Sequence, residues 1–408
     1  MPGPIVPMSA AFHKRSSHFR ALQLLVAGFL LLPFCLSAFA QRGWTGTWTS
    51  APLPGKPDPA LGGKTLRQIV HTSAAGSQLR VRISNAFGDQ PLRIEDVHIA
   101  IASTGSSIVA SSDHQLRFHH RPLVIIPPGA SFVSDALRFE LPALSDLSIS
   151  FYLPSMPGSI TWHPSAHCIN FMAHGDHSSD ANLRNSEKIG SRYFLTGVDV
   201  QGSGLHGAVV TLGASITEGY SAADDSHREW PAILSERLAA QHLAVGVLNE
   251  GISGNRLLQP GAGPSAEARF QMDVLRQTGV RWIIFSDDPI NDLGSTRPLP
   301  TLDQLIGATA RLIAAAHRQH IRFYCSTLTP YEGAGYWTPA AEIIREQFND
   351  FIRGTGSGCD AVIEQDRATH DPNHPTRFLP AYDSGDHLHP NDAGHRAIAE
   401  AIDLSLLR

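Results

Sequence analysis

The sequence predicts a mixed α/β protein in which an antiparallel β-sandwich precedes a C-terminal module built on a parallel sheet. Two observations carry that prediction. Short runs of period-two hydrophobicity fill residues 41–202, as in Leu79, Val81 and Ile83 or Leu147, Ile149, Phe151 and Leu153, which is the pattern of strands with one buried face. After Gly202-Ser203-Gly204 the rhythm changes to apolar strand, helix, apolar strand, which signals a parallel sheet covered by helices on both faces.

In the first half, turn chemistry separates the strands at Asn85-Ala86-Phe87-Gly88-Asp89, Pro127-Pro128-Gly129 and Ser155-Met156-Pro157-Gly158, and no amphipathic helix of a dozen residues interrupts them. Trp44, Trp48 and Trp162 fit either an aromatic sugar platform or packing inside the core. In the second half, strands are predicted at 208–212, 243–248, 281–285, 321–327 and 361–363, and helices at 229–240, 302–316, 339–351 and after Pro390. The expected domains are therefore 41–203 and 204–408, behind an N-terminal segment of different character.

That segment, residues 1–40, has Lys14, Arg15 and Arg20 before an apolar run, then Ser37-Ala38-Phe39-Ala40. It reads as a secretory signal peptide cut after Ala40, so the expected location is extracellular or periplasmic, with no membrane association after cleavage. In an oxidising compartment Cys168, Cys325 and Cys359 allow one disulfide and one free thiol, or simply buried small side chains, and sequence does not choose a pair.

Composition narrows the partners. Among 408 residues, 32 Lys and Arg against 37 Asp and Glu leave a charge of −5 with no basic run, which argues against a nucleic-acid partner. The 35 Gly and 28 Pro are scattered rather than periodic, which excludes collagen-like and low-complexity classes. Oligomeric state is not legible.

Ligands of open parallel sheets bind beyond the carboxyl ends of the strands, and there the chain places four unusual segments: Gly213-Ala214-Ser215-Ile216-Thr217-Glu218-Gly219, Asn249-Glu250-Gly251-Ile252-Ser253-Gly254-Asn255, Pro289-Ile290-Asn291-Asp292, and the stretch from Asp383 to Gly394 containing Asp386-His387-Leu388-His389-Pro390. A serine on a strand-to-helix turn exposes a hydroxyl beside N–H groups suited to a developing oxyanion. Asp386, His387, His389 and His395 also suggest a metal cluster, but His-Glu-x-x-His and paired-cysteine signatures are absent from the sequence.

In their order these segments resemble the blocks of the SGNH (GDSL-type) hydrolases, from about residue 208 onward, and the first half resembles the β-domain that precedes this module in a secreted branch of the family. The resemblance implies a flavodoxin-like fold and a cofactor-free serine esterase. Ser215 matches the nucleophile, His389 the base and Asp386 the carboxylate that orients it, while the N–H groups of Ser215 and Gly254 and the Asn291 amide match the oxyanion hole. It further implies short acyl esters, acetyl groups on polysaccharides among them, as substrates.

Two residues depart from the pattern: Ala214 stands where the family has aspartate, and Pro289 where it has glycine. A catalytically weak or inactive member binding carbohydrate or ester ligands is the alternative those departures raise. Asp383 competes with Asp386 as orienter, Tyr331 and Tyr336 are candidate pocket walls, His387 is expected at the rim and His395 on a helix surface, and Asp224, Asp225, Asp287 and Asp288 read as a solvated acidic rim.

Overall fold

The alternating runs become strands whose apolar faces meet. In the computed structural model, which describes residues 43–156 and 158–408 together with residues 1, 3 and 4, Leu79, Val81 and Ile83 belong to strand Gly76–Ser84, and Leu147, Ile149, Phe151 and Leu153 to strand Asp146–Leu153. All seven are buried in one apolar cluster. The first strand lies in a five-stranded sheet with Trp44–Thr49, Leu195–Gln201, Ser131–Val133 and Leu137–Leu141, and the second in a seven-stranded sheet beside Lys64–His71 and Leu92–Ile101. The pairings are antiparallel, so two sheets close on one core as a sandwich. The expected signal segment lies outside the described residues apart from residues 1, 3 and 4.

Trp44 and Trp48 are buried beneath the guanidinium groups of Arg80 and Arg192, at 4.5 and 5.0 Å from the ring centroids, and Trp162 is half-buried with its indole N–H donating to the Pro54 carbonyl. These side chains pack the sandwich and form no exposed aromatic platform.

From residue 207 the backbone builds five parallel strands, β1 (Gly207–Gly213), β2 (Val245–Gly251), β3 (Val280–Phe285), β4 (Arg322–Ser326) and β5 (Ala361–Ile363), in the order 2-1-3-4-5. This is the flavodoxin-like order. β1 lies between β2 and β3 and is buried along its whole length, which is why its sequence is a continuous apolar run instead of an alternation. The connecting helices are α1 (Ser215–Glu218), α2 (Trp230–Ala240), α3 (Ala266–Phe270), α4 (Asp288–Ser295), α5 (Leu302–His317), α6 (Pro339–Arg353), α7 (Gln365–Thr369) and α8 (Asp392–Glu400). Side-chain caps begin several of them: Thr301 forms a full capping box with Gln304, Thr338 caps α6, and Asn391 accepts from Ala393 and Gly394. Thr309, the one polar member of the apolar face of α5, donates its hydroxyl to the Leu305 carbonyl and so is buried without an orphaned group. Cys325 in β4 is disulfide-bonded to Cys359 just before β5, and Cys168 is free. Among the described residues no helix is long and apolar enough to cross a membrane.

Residues 44–408 form one compact unit, and its two halves meet along a polar seam. Gly46 donates its N–H to the Thr278 carbonyl, Ser73 accepts from the Val247 N–H, and Arg82 reaches Gln277 and Thr278. At Gly246 the backbones approach so closely that a Cβ would lie 1.9 Å from the Gly46 carbonyl oxygen. Gly246→Ala must therefore push the first sandwich strand off β2, and we expect it to cost about 1–3 kcal/mol, the range of overpacked core substitutions. A denaturant titration checks this, and an unchanged midpoint would show that the seam yields freely.

Candidate active site

β1 ends in Gly213 with the sharp turn Ala214 (φ −105°, ψ −135°), after which α1 makes a single turn that Gly219 closes in the left-handed region. Such a short helix leaves its first N–H groups without intrahelical partners. Asp287, just past β3, supplies them: one carboxylate oxygen accepts from the Ala214 N–H at 3.0 Å and the Thr217 hydroxyl at 2.5 Å, the other from the Ile216 N–H at 2.9 Å. Glycine is required at position 213 because a Cβ there would sit 2.3 Å from that carboxylate and 2.1 Å from Thr217 Oγ1. A carboxylate from beyond β3 thus holds this turn, where residue 214 itself carries none. Between the bonded N–H groups of Ala214 and Ile216, the Ser215 N–H has no acceptor among the described residues.

The segment after β5 brings the base to the serine. Asp386 Oδ1 accepts from the N–H groups of Leu388 and His389 and from the Ser384 hydroxyl, each at 2.9 Å, and Oδ2 lies 2.6 Å from His389 Nδ1. Burial works against its charge, but the bonds from His389 and Leu388 outweigh it and hold the carboxyl down at about 2. An anionic Asp386 can only accept, so Nδ1 carries the proton and Nε2 is left to accept from the Ser215 hydroxyl 2.9 Å away. Ser215 and His389 are both buried, and the Tyr220 ring packs on the imidazole with centroids 4.3 Å apart. Asp383 is bonded to the exposed His387 through Nδ1 at 2.6 Å, which leaves His389 to Asp386.

The remaining donors stand in the loop after β2 and on α4. Gly254 has no partner for its N–H among the described residues. Asn291 donates from Nδ2 to the Asn255 carbonyl at 2.8 Å and accepts at Oδ1 from the Tyr336 hydroxyl at 3.1 Å, which sets the amide's orientation and leaves one N–H uncommitted. Pro289 occupies the first turn of α4, where a missing N–H costs nothing and a fixed φ is already helical. Asp292 in the same helix accepts from the N–H groups of Leu257 and Leu258 and so ties α4 to the segment containing Gly254.

Beneath this surface lies a charge network with no signature in the sequence. Arg269 is buried and donates to Asn255 Oδ1 and to the carbonyls of Glu250 and Gly213, joining the ends of β1 and β2. Glu218, one helical turn after Ser215, accepts from the Ser253 N–H at 3.0 Å and from the Ser253 hydroxyl. It also contacts His163 at 3.0 Å and His167 at 3.3 Å. Burial disfavours its charge, yet the His163 and His167 bonds prevail and keep it well below the ordinary carboxylate range.

Several expectations need correction. Asp287 and Asp288 are buried at 3% and 0% exposure, and only Asp224 and Asp225 fit a solvated rim. His395 is fully buried, not on a helix surface; desolvation lowers it to about 4, and its Nε2 meets the Tyr220 carbonyl at 3.1 Å. Tyr331 is wholly buried behind Tyr336, with ring centroids 6.0 Å apart, so only Tyr336 reaches the site. Asp287 had a signal: it lies two residues before the third block. Glu218 sits inside the first block, whereas nothing in the local pattern points to Arg269.

Asp288 has no hydrogen-bond partner for either oxygen and lies 3.7 Å from Arg269. Desolvation dominates and pushes it up to about 7. Its contribution to stability is complete below the unfolded value of 3.8 and is lost as pH rises through about 7. The melting temperature of Asp288→Asn relative to wild type should therefore rise between pH 4 and pH 8; a flat difference would refute this assignment.

A nucleophile-type turn after β1, a histidine and aspartate beyond the last strand, and glycine and asparagine donors after β2 and on α4 accompany the SGNH hydrolase fold of the parallel half. Residues 211–397 match the model of the GDSL-like Lipase/Acylhydrolase family. No curated protein matches the chain. Solved structures similar to it include a GDSL-like lipase from Bacteroides thetaiotaomicron (18% identity, 49% of this chain and 88% of that one, TM-score 0.39). Others are an acetylxylan esterase from Geobacillus stearothermophilus (21%, 49% and 93%, 0.37) and an alpha/beta hydrolase from the metagenome of Lake Arreo (22%, 49% and 94%, 0.37).

Proposed function

We propose that the chain is a secreted serine esterase that cleaves short acyl esters, acetyl groups on polysaccharides among them, without a cofactor. The observation that carries this reading is the unbroken relay from Asp386 through His389 to Ser215, set beside donors with no other partner. His389 Nε2 takes the Ser215 proton as Oγ attacks the ester carbonyl, and Asp386 stabilises the imidazolium. The oxyanion is received by the N–H groups of Ser215 and Gly254 and by the free N–H of Asn291. The imidazolium then protonates the departing alkoxide, and water activated by His389 releases the acid. With Asp287 in place of a residue-214 carboxylate and Pro289 in a helical first turn, the departures give no reason to prefer an inactive binding protein. The acyl length and the polysaccharide rest on the family resemblance, and secretion rests on residues 1–40.

A fluorophosphonate probe tests the nucleophile. We expect one label per chain, absent in Ser215→Ala. A wild-type chain that stays unlabelled, or a label that persists in the variant, overturns the reading. A panel of acetylated oligosaccharides against simple esters of rising chain length then separates the polysaccharide proposal from general esterase action.

A further inference from the structure

Away from Ser215, three ligand-type side chains converge where the sandwich meets the segment between α1 and α2. His71 closes strand Lys64–His71, and Asp146 opens strand Asp146–Leu153 directly opposite it in the ladder. His227 comes from the segment between the helices, in the left-handed region at φ 53°. Asp146 Oδ1 lies 2.7 Å from His71 Nδ1 and 3.2 Å from His227 Nε2, and the two imidazoles stack with centroids 3.8 Å apart. The three ligand atoms all fall within 4.8 Å of one another.

We propose that His71, Asp146 and His227 form a site for a borderline divalent cation of the Zn²⁺ class. Zn²⁺ bonds nitrogen and carboxylate oxygen at about 2.0–2.2 Å, so tetrahedral ligands stand roughly 3.3–3.5 Å apart. The 2.7 and 3.2 Å spacings from Asp146 must open toward that range, and the stacked imidazoles must swing apart so that the plane of each ring meets the ion. Two imidazoles and one carboxylate suit Zn²⁺, whereas Ca²⁺ and Mg²⁺ want oxygen ligands. His71 and His227 also line a cavity shared with His167, Cys168 and Glu229, where water completes the coordination. The cation would pin the segment between α1 and α2 to the sandwich. None of its ligands touches the triad, so the site is independent of the esterase reading.

The test uses the full chain, stripped with a chelator and titrated with Zn²⁺ by calorimetry, with bound metal counted after gel filtration. We expect one equivalent to bind and to raise the unfolding midpoint, and Ca²⁺ or Mg²⁺ to do neither. His71→Asn, Asp146→Asn and His227→Asn should each lose that equivalent and the rise in midpoint; circular dichroism identifies which variants are folded, and any folded one decides. Because the chain has 21 histidines, binding that persists undiminished in the folded variants assigns the metal elsewhere and overturns the proposal, as does a wild-type chain that binds none.

Discussion

Replacing His389 with alanine is expected to lower kcat/KM on a short p-nitrophenyl ester by a factor on the order of 10³ or more, the scale of losing one member of a serine triad. The expectation follows from the single acceptor available to the serine. Among the described residues, Ser215 Oγ is bonded to His389 Nε2 and to no other base, and a neutral hydroxyl is a poor nucleophile unless its proton is taken as it attacks. The imidazole is held on both sides, by Asp386 at 2.6 Å and by the Tyr220 ring, so no other group is placed to rotate into its position. His387 is the nearest substitute in sequence, but Asp383 binds it. Loss of label by the fluorophosphonate probe should parallel the loss of turnover. A variant that keeps a tenth of the wild-type rate would show that another group acts as the base.

The second large effect is expected at Asp287. In Asp287→Asn one face of the new amide presents N–H where the carboxylate accepted from Ala214 and Thr217 on one oxygen and from Ile216 on the other. One of those contacts becomes donor against donor in a buried place, which costs the desolvation of the orphaned group. The turn that aims the Ser215 N–H then relaxes, and we expect kcat to fall about 10²–10³-fold, the scale of losing one oxyanion donor, with KM nearly unchanged because ground-state binding is not the contact removed. That split separates positioning from general destabilisation, which circular dichroism and the melting temperature report independently. A kcat within threefold of wild type would mean that the turn holds its shape by itself.

The contrast between these two residues shows what the sequence could convey. His389 lies in a compact block whose spacing to Asp386 and Pro390 is local, and the strands themselves were legible because burial on one face or two leaves a period of two or an unbroken apolar run, as in 79–83 and 208–212. Asp287 and Asp288 were read as solvated because burying charge is expensive and adjacent acids are usually exposed. For Asp287 the cost is offset by N–H groups of the turn after β1, a contact between residues 287 and 214 that no local window contains, while Asp288 is buried beside Arg269 with no hydrogen-bond partner. His395 failed for a related reason: its helix face turns inward toward the Tyr220 carbonyl, and only the packing of α8 on the nucleophile segment shows it. Pro289 reads as a departure when judged against a glycine template, and as the second residue of a helix it takes a place where a missing N–H leaves no intrahelical bond unmade.

Glu218 carries a consequence for how this chain can be divided. Its carboxylate holds the serine that precedes Gly254, and two of its partners, His163 and His167, belong to the sandwich. The family match begins at residue 211, so a piece excised on that boundary would keep Ser215, Asp386 and His389 and still deprive Glu218 of both histidine partners. The protein is therefore expected to behave as one indivisible unit, not as a portable hydrolase with a dispensable appendage.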